Sequence, residues 1–287
     1  MQNQSHTSAS QSEHSPYQGE TEGGLKSLSI RISTDGLSFC VYAPTEAQPY
    51  TYKTYKVSPL MSMAANLKEA LSTEPILQVA YQRVNILVST PLYTTVPAIA
   101  FDRDHVAETF KFVFPKAEPC HVSYNVLRRS GIAIIFGLDK NVYQQLLDAF
   151  PRARFYASAS TLIEFFSEKS IIGTGRKTFV YLHEEEMNLY AFDQGRMLFT
   201  NSYTVHSIDD CQYFILNMWK QLHLHQLDDS IYVVDDDSDM SHQLVDKIRY
   251  FIKQATLIER TEDFRETITH GNHFIPYDLQ TLLICGF

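Results

Sequence analysis

The sequence contains no apolar run approaching bilayer length. Its longest, Gly131–Leu138 (GIAIIFGL), is far short of the roughly 20 residues that a membrane-spanning helix requires. The opening stretch MQNQSHTSASQSEH lacks the apolar segment of a secretory signal, so a cytoplasmic chain without direct membrane insertion is expected. Cys40, Cys120, Cys211 and Cys285 never form a CxxC pair. That excludes zinc-ribbon and thioredoxin spacings and leaves idle thiols in a reducing compartment. Basic residues are also short: 24 Lys and Arg face 33 Asp and Glu, a net charge of −9. A nucleic-acid partner is therefore not expected, because phosphate backbones are held by an excess of positive charge. Neither a GxSxG elbow nor an HExxH helix occurs.

What is present is aromatic. The 287 residues include 18 Phe and 17 Tyr but one Trp, and with many β-branched neighbours they point to a large sheet content. The length allows one large domain or two of about 130 residues. Residues 1–24 are rich in Ser, Gln, Glu, Gly and His and are expected to be disordered, having too little to bury. From Lys26 the pattern changes. Leu28, Ile30 and Ile32 alternate with polar residues, Asp35-Gly36 marks a turn, and Leu37, Phe39 and Val41 alternate again, which predicts a hairpin. A third strand is expected over 50–57. Ser58-Pro59 would then cap a helix with apolar residues at 60, 63, 64, 67 and 71. A strand at 84–88 and a helix near 104–114 complete the first series.

The second half repeats this order. A hairpin over 178–182 and 187–192, a third strand over 196–204, a helix over 208–222, a short strand over 231–234 and a helix marked by Leu244, Ile248, Phe251, Ile252 and Ala255 follow in sequence. Between the two series lies a further unit: strands at 132–136 and 154–157, helices at 141–150 and 161–166. Two tandem βββαβα units describe duplicated ribonuclease-H-like lobes. The expected division is a first lobe over 25–172, carrying an inserted strand–helix unit, and a second lobe over 173–287.

The segments LSIRISTDGLSFCVYAP, NILVSTPLYTTVPAIAF, FPRARFYASASTLIEFF, VYLHEEEMNLYAF and FIPYDLQTLLICGF together resemble an uncharacterised bacterial family with an actin-like ATPase fold. More distantly they resemble the actin-like proteins that scaffold type IV pilus and type II secretion platforms. The resemblance implies an α/β fold of two lobes, each a mixed five-stranded sheet flanked by helices. It also implies where a nucleotide would sit: at two glycine-containing hairpin turns and a glycine-rich adenosine turn. The first turn holds Asp35 directly before Gly36, which suits a tight hairpin. The second holds Glu184, Glu185 and Glu186, with no glycine and with carboxylates where phosphates would lie. The third holds Asp235, Asp236 and Asp237 in place of glycines. These degenerate positions carry over no nucleotide contact, no catalytic residue, no metal and no cofactor.

Other motifs are weak. Gly173-Thr174-Gly175-Arg176-Lys177-Thr178 lacks P-loop spacing and reads as a flexible turn with a solvated basic pair. Asp235, Asp237, Asp239 and Asp246 match a calcium-loop spacing, but Met240 stands where glycine is required, and Asp239 or Ser241 serves equally as a helix cap. His223 with His225 on a strand, and His270 with His273 in a turn, lack a third metal ligand. Cys120-His121 is too little for a catalytic pair, since neighbours in an extended chain point apart. A non-catalytic protein-binding or scaffolding module is the leading expectation. It would use its inter-lobe groove or an exposed sheet edge for an unidentified protein partner, and a homodimer is compatible with it. A divergent ATP-binding protein or ATPase is the alternative, and a small-molecule or metal sensor a third.

Overall fold

The computed structural model describes residues 26–285 apart from positions 35, 47–48, 118, 184, 235–238, 266 and 268–273. The expectation for residues 1–24 therefore lies outside the described residues.

Two mixed five-stranded sheets share one topology. The first has the order β3-β2-β1-β4-β8, built from β1 (Ser27–Ile32), β2 (Gly36–Tyr42), β3 (Tyr50–Lys56), β4 (Arg83–Val88) and β8 (Arg154–Ala157). The second has the order β11-β10-β9-β12-β13, from β9 (Lys177–His183), β10 (Glu186–Asp193), β11 (Arg196–Thr204), β12 (Ser230–Val234) and β13 (Gln254–Ile258). In each, the first three strands form an antiparallel meander and the last two run parallel to the first. The hairpin register repeats as well. Ile32 faces Leu37 in one hairpin and Leu182 faces Met187 in the other, so Ser33 through Gly36 correspond to His183 through Glu186.

Helices cover both sides. Leu28, Ile30, Ile32, Val84 and Ile86 bury one face of the first sheet against Leu67 and Ala70 of α1 (Met63–Thr73) and Val142 and Leu146 of α3 (Lys140–Ala149). In the second lobe Val180, Leu189, Ile231 and Val233 pack on Cys211 and Ile215 of α5 (Ile208–Gln221) and Leu244 and Ile248 of α6 (Asp239–Ile248). The faces turned toward each other are covered by α4 (Ser158–Ser170) and α8 (Tyr277–Cys285), which pack together. Leu279 and Leu282 lie on Cys40, Leu87 and Tyr156 of the first sheet. Phe166 stacks on Phe179 of the second at 4.4 Å, and Tyr277 lies 5.9 Å from Tyr181. Hydrophobic burial of this kind is the dominant stabilising term.

Several local expectations change. The helix over 106–113, α2, belongs to neither large sheet. It covers a separate three-stranded sheet of order β5-β7-β6, formed by β5 (Tyr93–Pro97), β6 (Cys120–Leu127) and β7 (Ile132–Asp139). Val106 and Phe110 of α2 pack on Ile135, and Phe110 approaches Gly137 so closely that an added Cβ would stand 2.6 Å from its ring. The second helix of the first lobe's repeat is instead α3, just before β8 as α6 stands before β13. Ser58-Pro59 does not cap α1: Ser62 does, accepting from the Ala65 amide at 3.2 Å. Ser58 is drawn into a turn by Asn66, whose amide nitrogen donates to the Ser58 carbonyl at 3.1 Å and whose oxygen accepts from the Ser58 amide at 2.7 Å. Ala255 lies in β13, not in a helix, because α6 ends at Ile248. Four further residues, Arg260–Asp263, form the short helix α7.

Candidate functional site

At the turn end of the first sheet, the meander's inward-facing residues form a polar floor. Across β1, β2 and β3, Arg31 pairs with Ser38 and Ser38 with Thr54, while Gly36 pairs with Lys56. These residues, with Ser33 and Tyr52, line a pocket of about 280 Å³ that His183 of the second lobe and Pro276 complete. The volume is at the lower limit of small-molecule sites, about 300 Å³. Among the described residues no carboxylate lines it.

Arg31 is 4% exposed and its charge is answered from α8. Its Nε donates to both oxygens of Asp278 at 2.9 Å, and Ser158 donates to the same carboxylate at 2.8 Å. A buried pair needs such extra hydrogen bonds to offset its desolvation. Thr161 of α4 and Thr281 of α8 continue the network, with their hydroxyls 2.9 Å apart. Burial pushes the Tyr52 hydroxyl above its ordinary pKa, against the opposing hydrogen bond from Ser38. His183 stacks on Tyr181 at 5.8 Å. Lys56 is exposed.

The positions implied by the nucleotide loops fall as follows. Gly36 lines the pocket, and the Ser33 amide donates to its carbonyl at 3.0 Å, closing the tight hairpin. A Cβ on Gly36 would stand 3.4 Å from the Tyr55 carbonyl oxygen. Glu185 lies 3.8 Å from His206, on the α5 side. Glu186 is partly buried and close enough to bear on the Tyr93 hydroxyl. Neither glutamate lines the pocket. Asp35, Glu184, Asp235, Asp236 and Asp237 lie outside the described residues.

Other candidates resolve into structural roles. Lys177 is 6% exposed, not a solvated edge. Its Nζ donates to the Ser170 carbonyl at 3.0 Å and to that of Ile172, satisfying the end of α4, where a cation is favoured. Arg176 donates to the carbonyls of Leu222 and His223 at 3.2 and 2.9 Å. His223 is not on a strand. It has a left-handed φ of 51° in the turn after α5, and His225 pairs with Asp228 at 2.8 Å. His270 and His273 lie outside the described residues. His121 stacks on Tyr143. Ser241 is buried in the first turn of α6, and Asp246 pairs with Arg249 at 3.1 Å. Burial pushes the Cys40 and Cys285 thiols up to about 12 and Cys211 to about 11, so reactive thiolate is scarce at neutral pH. Among the described residues, no three His, Cys, Asp or Glu side chains converge to hold a metal ion, and no helix is long and apolar enough to cross a membrane.

Sequence reading missed Arg31, Lys56 and Asp278. Arg31 sits in the polar phase of an alternating strand, which ordinarily marks a solvent face. The available signal was Asp278, an isolated acid in the apolar stretch FIPYDLQTLLIC.

A family model described as "Protein of unknown function (DUF3822)" matches residues 20–255. A crystal structure from Bacteroides thetaiotaomicron VPI-5482, of a protein with actin-like ATPase fold and unknown function, is similar at 31% identity and a TM-score of 0.80. The match covers 92% of this chain and 97% of that one. The PilM-PilN type IV pilus biogenesis complex matches at 11% identity and a TM-score of 0.48, covering 89% and 94%. The AlfA filament from a B. subtilis plasmid matches at 9% and 0.45, covering 90% and 98%. No curated protein matches the chain.

Proposed function

Since this chain belongs to the DUF3822 family and has an actin-like ATPase fold, we propose that it acts as a non-catalytic protein-binding scaffold rather than as an ATPase. The observation carrying this reading is the hydrogen-bonded closure of the first turn. Phosphate cradles work by presenting free backbone N–H groups to the anion. Here the Ser33 amide is spent on the Gly36 carbonyl, and the Ser33 hydroxyl is 3.4 Å from the same oxygen. Around the turn, the buried Arg31–Asp278 pair and the aromatic contacts of Phe166 and Tyr277 join the facing sheets through α4 and α8. Such packing suits a fixed platform better than a cleft that opens and shuts around a nucleotide.

One observation favours the alternative of a divergent ATP-binding protein. The pocket beside the turn is lined by Arg31, Lys56 and His183 and several hydroxyls, with no carboxylate among the described residues. A thermal-shift titration with ATP and magnesium, run beside a phosphate-release assay, separates the two. The scaffold reading expects a flat melting temperature and no phosphate. A rise of several degrees, abolished by Lys56→Ala, overturns it.

A further inference from the structure

We infer that the free edge of β3, together with the pocket at its end, is the docking surface for an acidic, extended segment of a protein partner, which adds to the first sheet as a further strand. This rests on the scaffold reading and specifies its partner.

The two lobes end on equivalent edges. Each sheet ends on the third strand of its meander, β3 in one and β11 in the other. Beside β11 stands the small sheet, whose Tyr93 hydroxyl meets the side-chain hydroxyls of Thr200 at 2.9 Å and Ser202 at 3.4 Å, contacts with side chains and not with the edge backbone. No strand lies beyond β3 among the described residues. An edge strand presents unpaired N–H and C=O groups and templates the addition of another chain. Main-chain bonds then supply affinity, while pockets for alternate side chains supply selectivity.

The chemistry of β3 states what it selects. Its sequence is YTYKTYK, basic and without a carboxylate, in a chain of net charge −9. Its outward side chains already face α1 and its C-cap, since Lys53 pairs with Glu74 and, after burial, Glu69 helps to raise the Tyr55 hydroxyl pKa. Of the inward ones, Tyr52, Thr54 and Lys56 line the pocket beside His183. Lys56 makes no ion pair among the described residues. Glu185 of the neighbouring turn is directed at His206. An extended segment placing carboxylates at alternate positions would meet Lys56 and His183 with one face while its backbone pairs with β3. A second copy of this chain fits poorly, because two β3 edges would bring lysine against lysine.

The test is fluorescence anisotropy on the full chain with a short labelled peptide alternating valine and glutamate, and with its valine–lysine counterpart. The expected result is saturable, salt-sensitive binding of the acidic peptide alone. Lys56→Glu should weaken it by at least about tenfold, with the basic peptide now gaining. Thr54→Pro should abolish strand addition, and circular dichroism on both variants verifies folding. Should the proline variant misfold, the charge reversal decides by itself. Equal binding of the two peptides, an unchanged affinity in Lys56→Glu, or no binding at millimolar peptide overturns the proposal. So does a concentration-dependent dimer that competes with the peptide. None of these outcomes touches the ATP titration, so the edge can fail while the scaffold reading stands, and the reverse.

Discussion

The inward faces of the two sheets differ far more than their topology. At matched positions, β1 and the residue after it present Ser29, Arg31 and Ser33 where β9 presents Phe179, Tyr181 and His183, as the corresponding hairpin registers establish. One face is closed by an ion pair to Asp278, the other by ring contacts from Phe166 and Tyr277. The outward faces are alike, with aliphatic residues on two helices in each lobe. The outward pattern fixes the strand register, because a one-residue slip would turn every aliphatic side chain to the wrong side. The inward pattern is then free to be polar in one lobe and aromatic in the other.

That contrast can be broken at either face. Asp278→Ala takes the carboxylate away from the buried Arg31 guanidinium, and should cost about 3–5 kcal/mol in urea unfolding. Phe166→Ala removes a fully buried ring and should cost a similar amount, about 3–5 kcal/mol. The two faces separate on rescue. The double variant Arg31→Met/Asp278→Leu should recover most of the loss, since a packed apolar pair substitutes well for a buried ionic one. No single second change refills the cavity left by Phe166. Failure of the rescue would mean that Arg31 is held for something other than its partner's charge.

Smaller effects sharpen the comparison. Tyr93→Phe loses the hydroxyl contact to Thr200 and should destabilise by about 1 kcal/mol. Gly36→Ala should be the mildest, within about 0.5 kcal/mol, because its Cβ meets only the Tyr55 oxygen at 3.4 Å. Gly175→Ala is its control. That glycine has a left-handed φ of +77° and a Cβ there would stand 2.5 Å from the Asp228 oxygen, so a clear loss of stability is expected.

The meanders were legible in the sequence because alternation has a period of two and their turns are short. The 196–204 and 154–157 strands fall at their expected positions. The small sheet was only partly legible: β7 was read, but β5 and β6 mix Thr, Ser, His and Asn with few aliphatics and give no clean period. Helix α2 was visible, but its location was not, since an amphipathic pattern says that a face is buried and not against what. The site was least legible. Arg31 and Asp278 meet only in three dimensions, and a strand's polar phase looks the same whether it faces water or a partner carboxylate.

The return of α8 to the first sheet also sets an order of assembly. Arg31 and Asp278 are 247 positions apart, so their pairing is among the most non-local contacts a chain of this length can make, and such contacts slow folding. As the chain emerges during synthesis, β1, β2 and β4 can align long before α8 exists. Until it arrives, Arg31 lacks its counter-ion, and Cys40, Leu87 and Tyr156 lack the leucines that cover them. The nascent first lobe thus has a sticky interval spanning the translation of the second, and during that interval a chaperone would find its binding surface there.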